Sequence, residues 1–125
     1  MNLLLDTHIL LWWLDDHPAL PEAAKDRIAS RENLIFLSAA VVWEIRIKEA
    51  LGKLDIPPNF QVIVDQQSFE KLPVKVEHAH AVKGLALHHR DPFDRMLIAQ
   101  AATEGLTIVT QDPVFEKYSV PLLKI

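Results

Sequence analysis

Residues 92–110, PFDRMLIAQAATEGLTIVT, contain a complete passage from helix to strand. Proline is favoured at the first helical position, so Pro92 starts the helix and Asp91 is placed as its N-cap. The apolar run from Met96 carries the helix to about Glu104, Gly105 stops it, and residues 107–110 form a short buried strand. Outward from there the same grammar recurs. In MNLLLDTHILLWWL, residues 1–14, the run at 2–5 ends abruptly at Asp6, as in a strand buried on both faces, and a short helix follows through Trp13. Pro21 at a first helical turn opens a helix to about Ser30, and residues 34–37 are a second buried strand. Ser38 caps a helix over 39–51 that Gly52 closes. Beyond Pro57 and Pro58 the spacing predicts a helix at 59–68, a strand at 72–74, a helix at 77–87 and a last strand at 122–124. Strands alternating with helices imply βαβ units: an α/β fold with a mainly parallel sheet covered on both faces.

The chain has 125 residues, enough for one self-sufficient core, and is expected to be a single domain over 1–125. Its formal charge of −4 is the wrong sign for bulk electrostatic attraction to nucleic acid, so an RNA ligand would need local basic patches. The absence of cysteine excludes disulfides and thiolate metal sites, and a cytoplasmic setting is the default expectation. The apolar N-terminus lacks a basic leader and is broken by Asp6 and His8, and no other run reaches the ~20 apolar residues of a membrane span, so no membrane is expected.

Four acids stand out. Asp6 and Asp112 follow buried strands, LLLD and TIVTQD, at the sheet edge where open α/β sheets bind ligands, although aspartate is also an ordinary turn residue there. Glu44 lies in AAVVWEI, where nearly every neighbour is apolar, so burying it demands a cationic partner. Lys48 one turn on and a metal ion answer that demand equally well at this residue. Asp94 starts the helix at 92–104, where it also suits the helix dipole. At the third helical position its side chain can lean toward the strand ends, whereas Asp91 has a capping duty. Taken together, the four acids have one explanation. Two unit charges about 4 Å apart repel by about 4 kcal/mol at an effective dielectric near 20, so converging carboxylates need a cation or a proton. Oxygen ligands without cysteine select a hard ion, Mg²⁺ or Mn²⁺, and such a site hydrolyses phosphodiesters.

With these residues in hand, the chain resembles the PIN-domain ribonucleases, and within them the VapC-type toxins of toxin–antitoxin pairs. The resemblance rests on LLLDTHILLWWL at 3–14, SAAVVWEIRIKEALGKL at 38–54, HHRDPFDRMLIAQA at 88–101 and GLTIVTQDPVF at 105–115, in the family's order. It implies an α/β/α sandwich, a Mg²⁺- or Mn²⁺-dependent endoribonuclease, a cognate antitoxin and a homodimer. It also implies Asp6 and Asp94 as principal metal ligands, Glu44 and Asp112 completing the set directly or through water, and Thr7, Ser38 and Thr110 as supporting hydroxyls. Arg46 departs from the family's expected small or apolar residue.

Among the remaining candidates, Arg46, Lys48, Lys53, Arg90 and Arg95 flank the acidic motifs and could track an RNA backbone, or be solvated helix faces. The pairs His78 with His80 and His88 with His89 diverge too far for a zinc site, leaving His89, near the cleft, as the exception among packing or surface histidines. Trp12 and Trp13 suit either a core or a partner surface. A haloacid-dehalogenase-type phosphatase would need an acid where His8 stands, and a phospho-receiver an acceptor acid where Ser38 stands. An inactive module that binds RNA or a protein partner would have a broken acid set, and this one is intact.

Overall fold

The computed structural model describes residues 1–125. In chain order the strands are β1 (Asn2–Leu5), β2 (Leu34–Ser38), β3 (Glu70–Leu72), β4 (Thr107–Thr110) and β5 (Leu122–Lys124). The helices are α1 (Thr7–Leu14), α2 (Glu22–Ala29), α3 (Ala39–Ala50), α4 (Phe60–Asp65), α5 (Val76–Ala81) and α6 (Pro92–Glu104), with 3₁₀ turns at Val82–Gly84 and Pro113–Lys117. The sheet order is β3-β2-β1-β4-β5, and every pairing is parallel. Leu4 stands opposite Phe36 on one side and Ile108 on the other. Leu3, Leu4 and Leu5 are all fully buried, so both faces of the central strand are covered and the α/β/α sandwich expected from the sequence is present. No helix is long and apolar enough to cross a membrane.

The predicted strands and helices are all present, but several bounds move for identifiable reasons. Pro21 is the N-cap of α2, in an extended conformation, and not its first helical residue. The third strand ends at Leu72, ahead of the predicted 72–74, because Pro73 has no N–H to give the ladder. The helix predicted over 77–87 stops at Ala81 and passes into the 3₁₀ turn. There the guanidinium of Arg95 takes the carbonyl of Ala86 at 2.9 Å and reaches that of Val82 at 3.5 Å, satisfying backbone groups that a continued helix would have paired. The helix predicted at 59–68 is confined to the shorter α4. Gly105 ends α6 at φ 70°, a left-handed conformation that costs glycine little.

A buried polar network fastens the helices to the sheet. Ser38 caps α3 by accepting from Ala40 N–H at 3.0 Å, and its hydroxyl donates to Gln100 Oε1 at 2.6 Å. The Gln100 amide donates in turn to the carbonyl of Pro73 at 3.2 Å. Close by, His78 accepts from Lys75 N–H at 2.9 Å through Nδ1 and faces Glu104 at 2.8 Å through Nε2. Ser38, His78 and Gln100 are fully buried, and no buried side-chain nitrogen or oxygen in the molecule lacks a partner. Gln100→Met fills similar volume without an amide and strands Ser38 and Pro73. It should therefore lower stability by roughly 1–3 kcal/mol in urea unfolding, and an unchanged midpoint would show that the network adds nothing.

Candidate functional site

All five strands run the same way, so their C-terminal ends share one edge. From β1 the chain moves to β2 on one side, while β4 lies on the other, which opens the crevice between β1 and β4 that binds ligands in such sheets. Asp6 is the first residue beyond β1. It caps α1 by accepting from Ile9 N–H at 2.9 Å through Oδ1, and Oδ2 accepts the hydroxyl proton of Thr110. Thr110 also accepts from Asp112 N–H at 3.0 Å, so one hydroxyl joins the two acids. Burial pushes the Asp6 carboxyl upward, and the nearby Asp112 charge adds to that, against the opposing bonds from Thr110 and Ile9. Asp112 is exposed and caps the 3₁₀ turn after β4, accepting from Val114 N–H at 3.0 Å.

Glu44 is 5% exposed on α3, as its apolar neighbours require. Its Oε1 accepts from the Thr7 hydroxyl at 2.6 Å and its Oε2 from Lys48 Nζ at 2.6 Å. Lys48 is thus the cationic partner in this structure, and Glu44 holds its amine in the charged form, with Asp91 and Asp94 adding to the field. Asp91 is the N-cap of α6, accepting from Phe93 N–H at 2.9 Å and Asp94 N–H at 3.0 Å. Asp94 instead turns toward His89, with Oδ2 at 3.2 Å from Nε2. Burial, then the charge of Asp91, and more weakly that of Glu44, push the Asp94 carboxyl up to about 6 despite the His89 contact.

The four acids therefore fall into two neighbouring pairs, Asp112 beside Asp6 and Glu44 within electrostatic reach of Asp94, and Thr7, the residue after Asp6, hydrogen-bonds Glu44. They do not close on a common point. The one trio of possible ligand atoms lying mutually within 4.8 Å is Glu77, His78 and Glu104, far along α5 and α6, where Lys75 Nζ already stands 3.6 Å from Glu104. The donors of the crevice nevertheless fit a hard divalent ion: all are carboxylates or hydroxyls, and two of the carboxyls are raised by burial and like charge, a strain that a cation relieves.

The other sequence candidates divide. Thr7 and Thr110 touch the acids, but Ser38 faces Gln100. Arg95 is occupied with carbonyls and Tyr118, and Lys48 with Glu44. Arg46 pairs with Glu49 at 2.8 Å and lies over the Phe60 ring, on a groove of about 570 Å³ that contains none of the four acids. Arg90 is exposed and has no ion pair. Trp12 and Trp13 pack against the core, whereas Trp43 is 63% exposed, edge-on to Phe93 at 5.3 Å. Sequence reasoning missed Tyr118, whose hydroxyl lies 2.7 Å from His89 Nδ1. As the single tyrosine of the chain, in the irregular segment between β4 and β5, it gave no periodic or spacing signal.

Between pH 3.8 and about 6 the folded chain holds a proton at Asp94 that the unfolded chain has released, so raising the pH through this window removes stability. Asp94→Asn abolishes that contribution. In chelator, thermal melts should show the variant gaining on the wild type as the pH rises from 3.8 to about 6. A difference that stays flat would mean that Asp94 titrates normally.

Several solved structures share the fold of this chain. VapBC2 from Rickettsia felis, bound to a DNA fragment from its promoter, gives a TM-score of 0.77 at 18% identity over 100% of this chain and 99% of that one. DNA-bound VapBC from Salmonella typhimurium gives 0.73 at 19% identity over 99% and 98%. FitAcB from Neisseria gonorrhoeae gives 0.63 at 22% over 98% and 96%. No curated protein sequence matches the chain. The family model of the PIN domain matches residues 3–121, almost its whole length, and the chain belongs to the PIN-domain family.

Proposed function

We propose that this protein is the toxin of a VapBC-type toxin–antitoxin pair, a cytoplasmic endoribonuclease that hydrolyses RNA with Mg²⁺ or Mn²⁺. The observation that carries the proposal is the set of acids gathered from β1, α3, α6 and the turn after β4, in which burial, with like charge from Asp112 and Asp91, pushes the Asp6 and Asp94 carboxyls upward. The PIN family and the shared fold of toxin–antitoxin complexes support the same reading.

In this mechanism Asp6 and Asp94 would hold the ion, and Glu44 and Asp112 would complete the set directly or through water. When bound, the ion supplies Lewis acidity to a phosphoryl oxygen and a lowered pKa for the attacking water. The chain's own groups do the positioning. Ile9 N–H and the Thr110 hydroxyl fix both oxygens of Asp6, and Thr7 and Lys48 fix both oxygens of Glu44. These bonds fix the donors before RNA arrives, so little reorganisation is needed at the reaction. Arg90, exposed, without an ion pair and adjacent in the chain to the Asp91 cap, is the basic residue proposed to meet a phosphate.

The antitoxin is proposed to block the crevice with a guanidinium, which such carboxylates bind well. The exposed Trp43 on α3, edge-on to the half-buried Phe93 of α6, is proposed as a surface for the antitoxin or for a second copy in a homodimer.

The purified protein should cut RNA with Mg²⁺ or Mn²⁺ and stop in chelator, and a co-expressed antitoxin should suppress its toxicity. Asp91→Asn keeps a competent cap and should retain most activity, whereas Asp94→Asn should fold normally and lose cleavage by a factor of about 100 or more. A metal-loaded protein that binds RNA without cutting it would favour the inactive binding module. An active Asp94→Asn beside a dead but folded Asp91→Asn would overturn the ligand assignment.

A further inference from the structure

We propose that Tyr118 and His89 form a one-way hydrogen-bond relay that positions the Asp94 carboxylate, an inference that rests on the metal-site reading of the crevice. The direction of the relay follows from what each group can give. A guanidinium only donates, and Arg95 presents an N–H to the Tyr118 oxygen at 3.1 Å while bonding the carbonyl of Ala86 at 2.9 Å. Tyr118 then has one proton to spend, and its neighbour is His89 Nδ1 at 2.7 Å. With Nδ1 accepting, the neutral imidazole carries its hydrogen on Nε2, which faces Asp94 Oδ2 at 3.2 Å. The chain runs from Arg95 through Tyr118 and His89 to Asp94, every donor meeting an acceptor.

Packing keeps it in register. Tyr118 is buried at 7% exposure, and both His88 and His89 stand edge-on to its ring, with centroids 4.9 and 5.5 Å away. Arg95 is the next residue after Asp94 on α6, while Tyr118 arrives from the segment between β4 and β5. The relay therefore sets the carboxylate against the body of the fold and not only against its own helix. Asp6 and Glu44 each have both oxygens fixed by neighbours, whereas the His89 N–H is the one protein bond to Asp94's carboxylate. Removing it frees the carboxylate to turn. His89 and Tyr118 are positioning residues in this account, acting through Asp94.

Three variants test the relay: Tyr118→Phe keeps the ring and removes the hydroxyl, His89→Leu removes the donor, and His89→Gln can return an amide N–H near the Nε2 position. In metal-free protein, at a pH well above the imidazole titration, nitrogen–proton correlation spectra should show His89 wholly as the Nε2–H tautomer. In Tyr118→Phe they should show a mixture. Calorimetric titration with Mn²⁺ should weaken about 10–100-fold in Tyr118→Phe and His89→Leu, with His89→Gln within a few-fold of wild type. Adding Tyr118→Phe to His89→Gln should then change little, which a merely structural role for Tyr118 would not predict. A wild-type His89 protonated on Nδ1, or a Tyr118→Phe protein that keeps both tautomer and Mn²⁺ affinity, would overturn the relay. Should Tyr118→Phe fail to fold, His89→Leu against His89→Gln decides the same point. If the wild type neither binds Mn²⁺ nor cuts RNA, the nuclease reading fails, while the tautomer spectra still judge the relay.

Discussion

Burial of β1 on both faces is the constraint from which the rest follows. Leu3, Leu4 and Leu5 have no exposed surface, so each is committed to one side of the sheet and the strand has no freedom of register. The first residue able to leave the core is Asp6, and its backbone N–H still pairs with Val109 of β4 at 3.2 Å. A carboxylate is thereby fixed beside the only central gap at which the sheet's winding reverses. Asp6 also starts α1, and Thr7, the first residue of that helix, reaches Glu44 on α3. The position of one short strand thus fixes Asp6 directly and ties Glu44 to it through Thr7.

Gathering acids in a half-buried crevice sets desolvation and repulsion against whatever neutralises them. At Glu44 the opposition is strong: a lysine and a hydroxyl occupy both oxygens, and the buried carboxylate is satisfied. At Asp6 and Asp94 burial wins, and both carboxyls are raised. At both, burial outweighs the hydroxyl, backbone N–H and imidazole contacts that favour the anion. The two acids whose charged forms burial penalises are the two assigned to hold the ion, which is where a cation has most to gain. The His78–Glu104 contact is the counterexample, since the His78 bond, with Lys75 standing beside the pair, lowers the Glu104 carboxyl.

Much of this was legible in the sequence because the signals were local. The runs at 2–5 and 107–110, the Asp-Pro start of α6 and the Gly105 stop each fix an element without reference to the rest of the chain. The four acids were legible because three of them stand at element ends and Glu44 stands out against its apolar surroundings. What escaped depends on distance in the fold. Pro73 shortened β3 through a ladder that no single stretch displays. Gln100 reads as a polar residue on a helix, yet it is fully buried against Ser38 from another element. Tyr118 meets His89 only because the chain returns after β4, and Arg95 looked like a free cation although backbone carbonyls hold it. The lysine that pairs with Glu44 became identifiable only with Lys48 seen on its carboxylate.

The central claim is that the crevice is built to be completed by a divalent ion, and thermal unfolding with and without Mn²⁺ tests it most directly. Binding to the folded state alone raises the melting temperature, by an amount that grows with ion concentration. Wild type should show that rise. Asp6→Asn, which removes a ligand and a repelling charge, should melt at or above the wild-type temperature in chelator and gain little from Mn²⁺. An equal Mn²⁺ shift in both proteins would contradict the account, because the ion would then be binding away from Asp6.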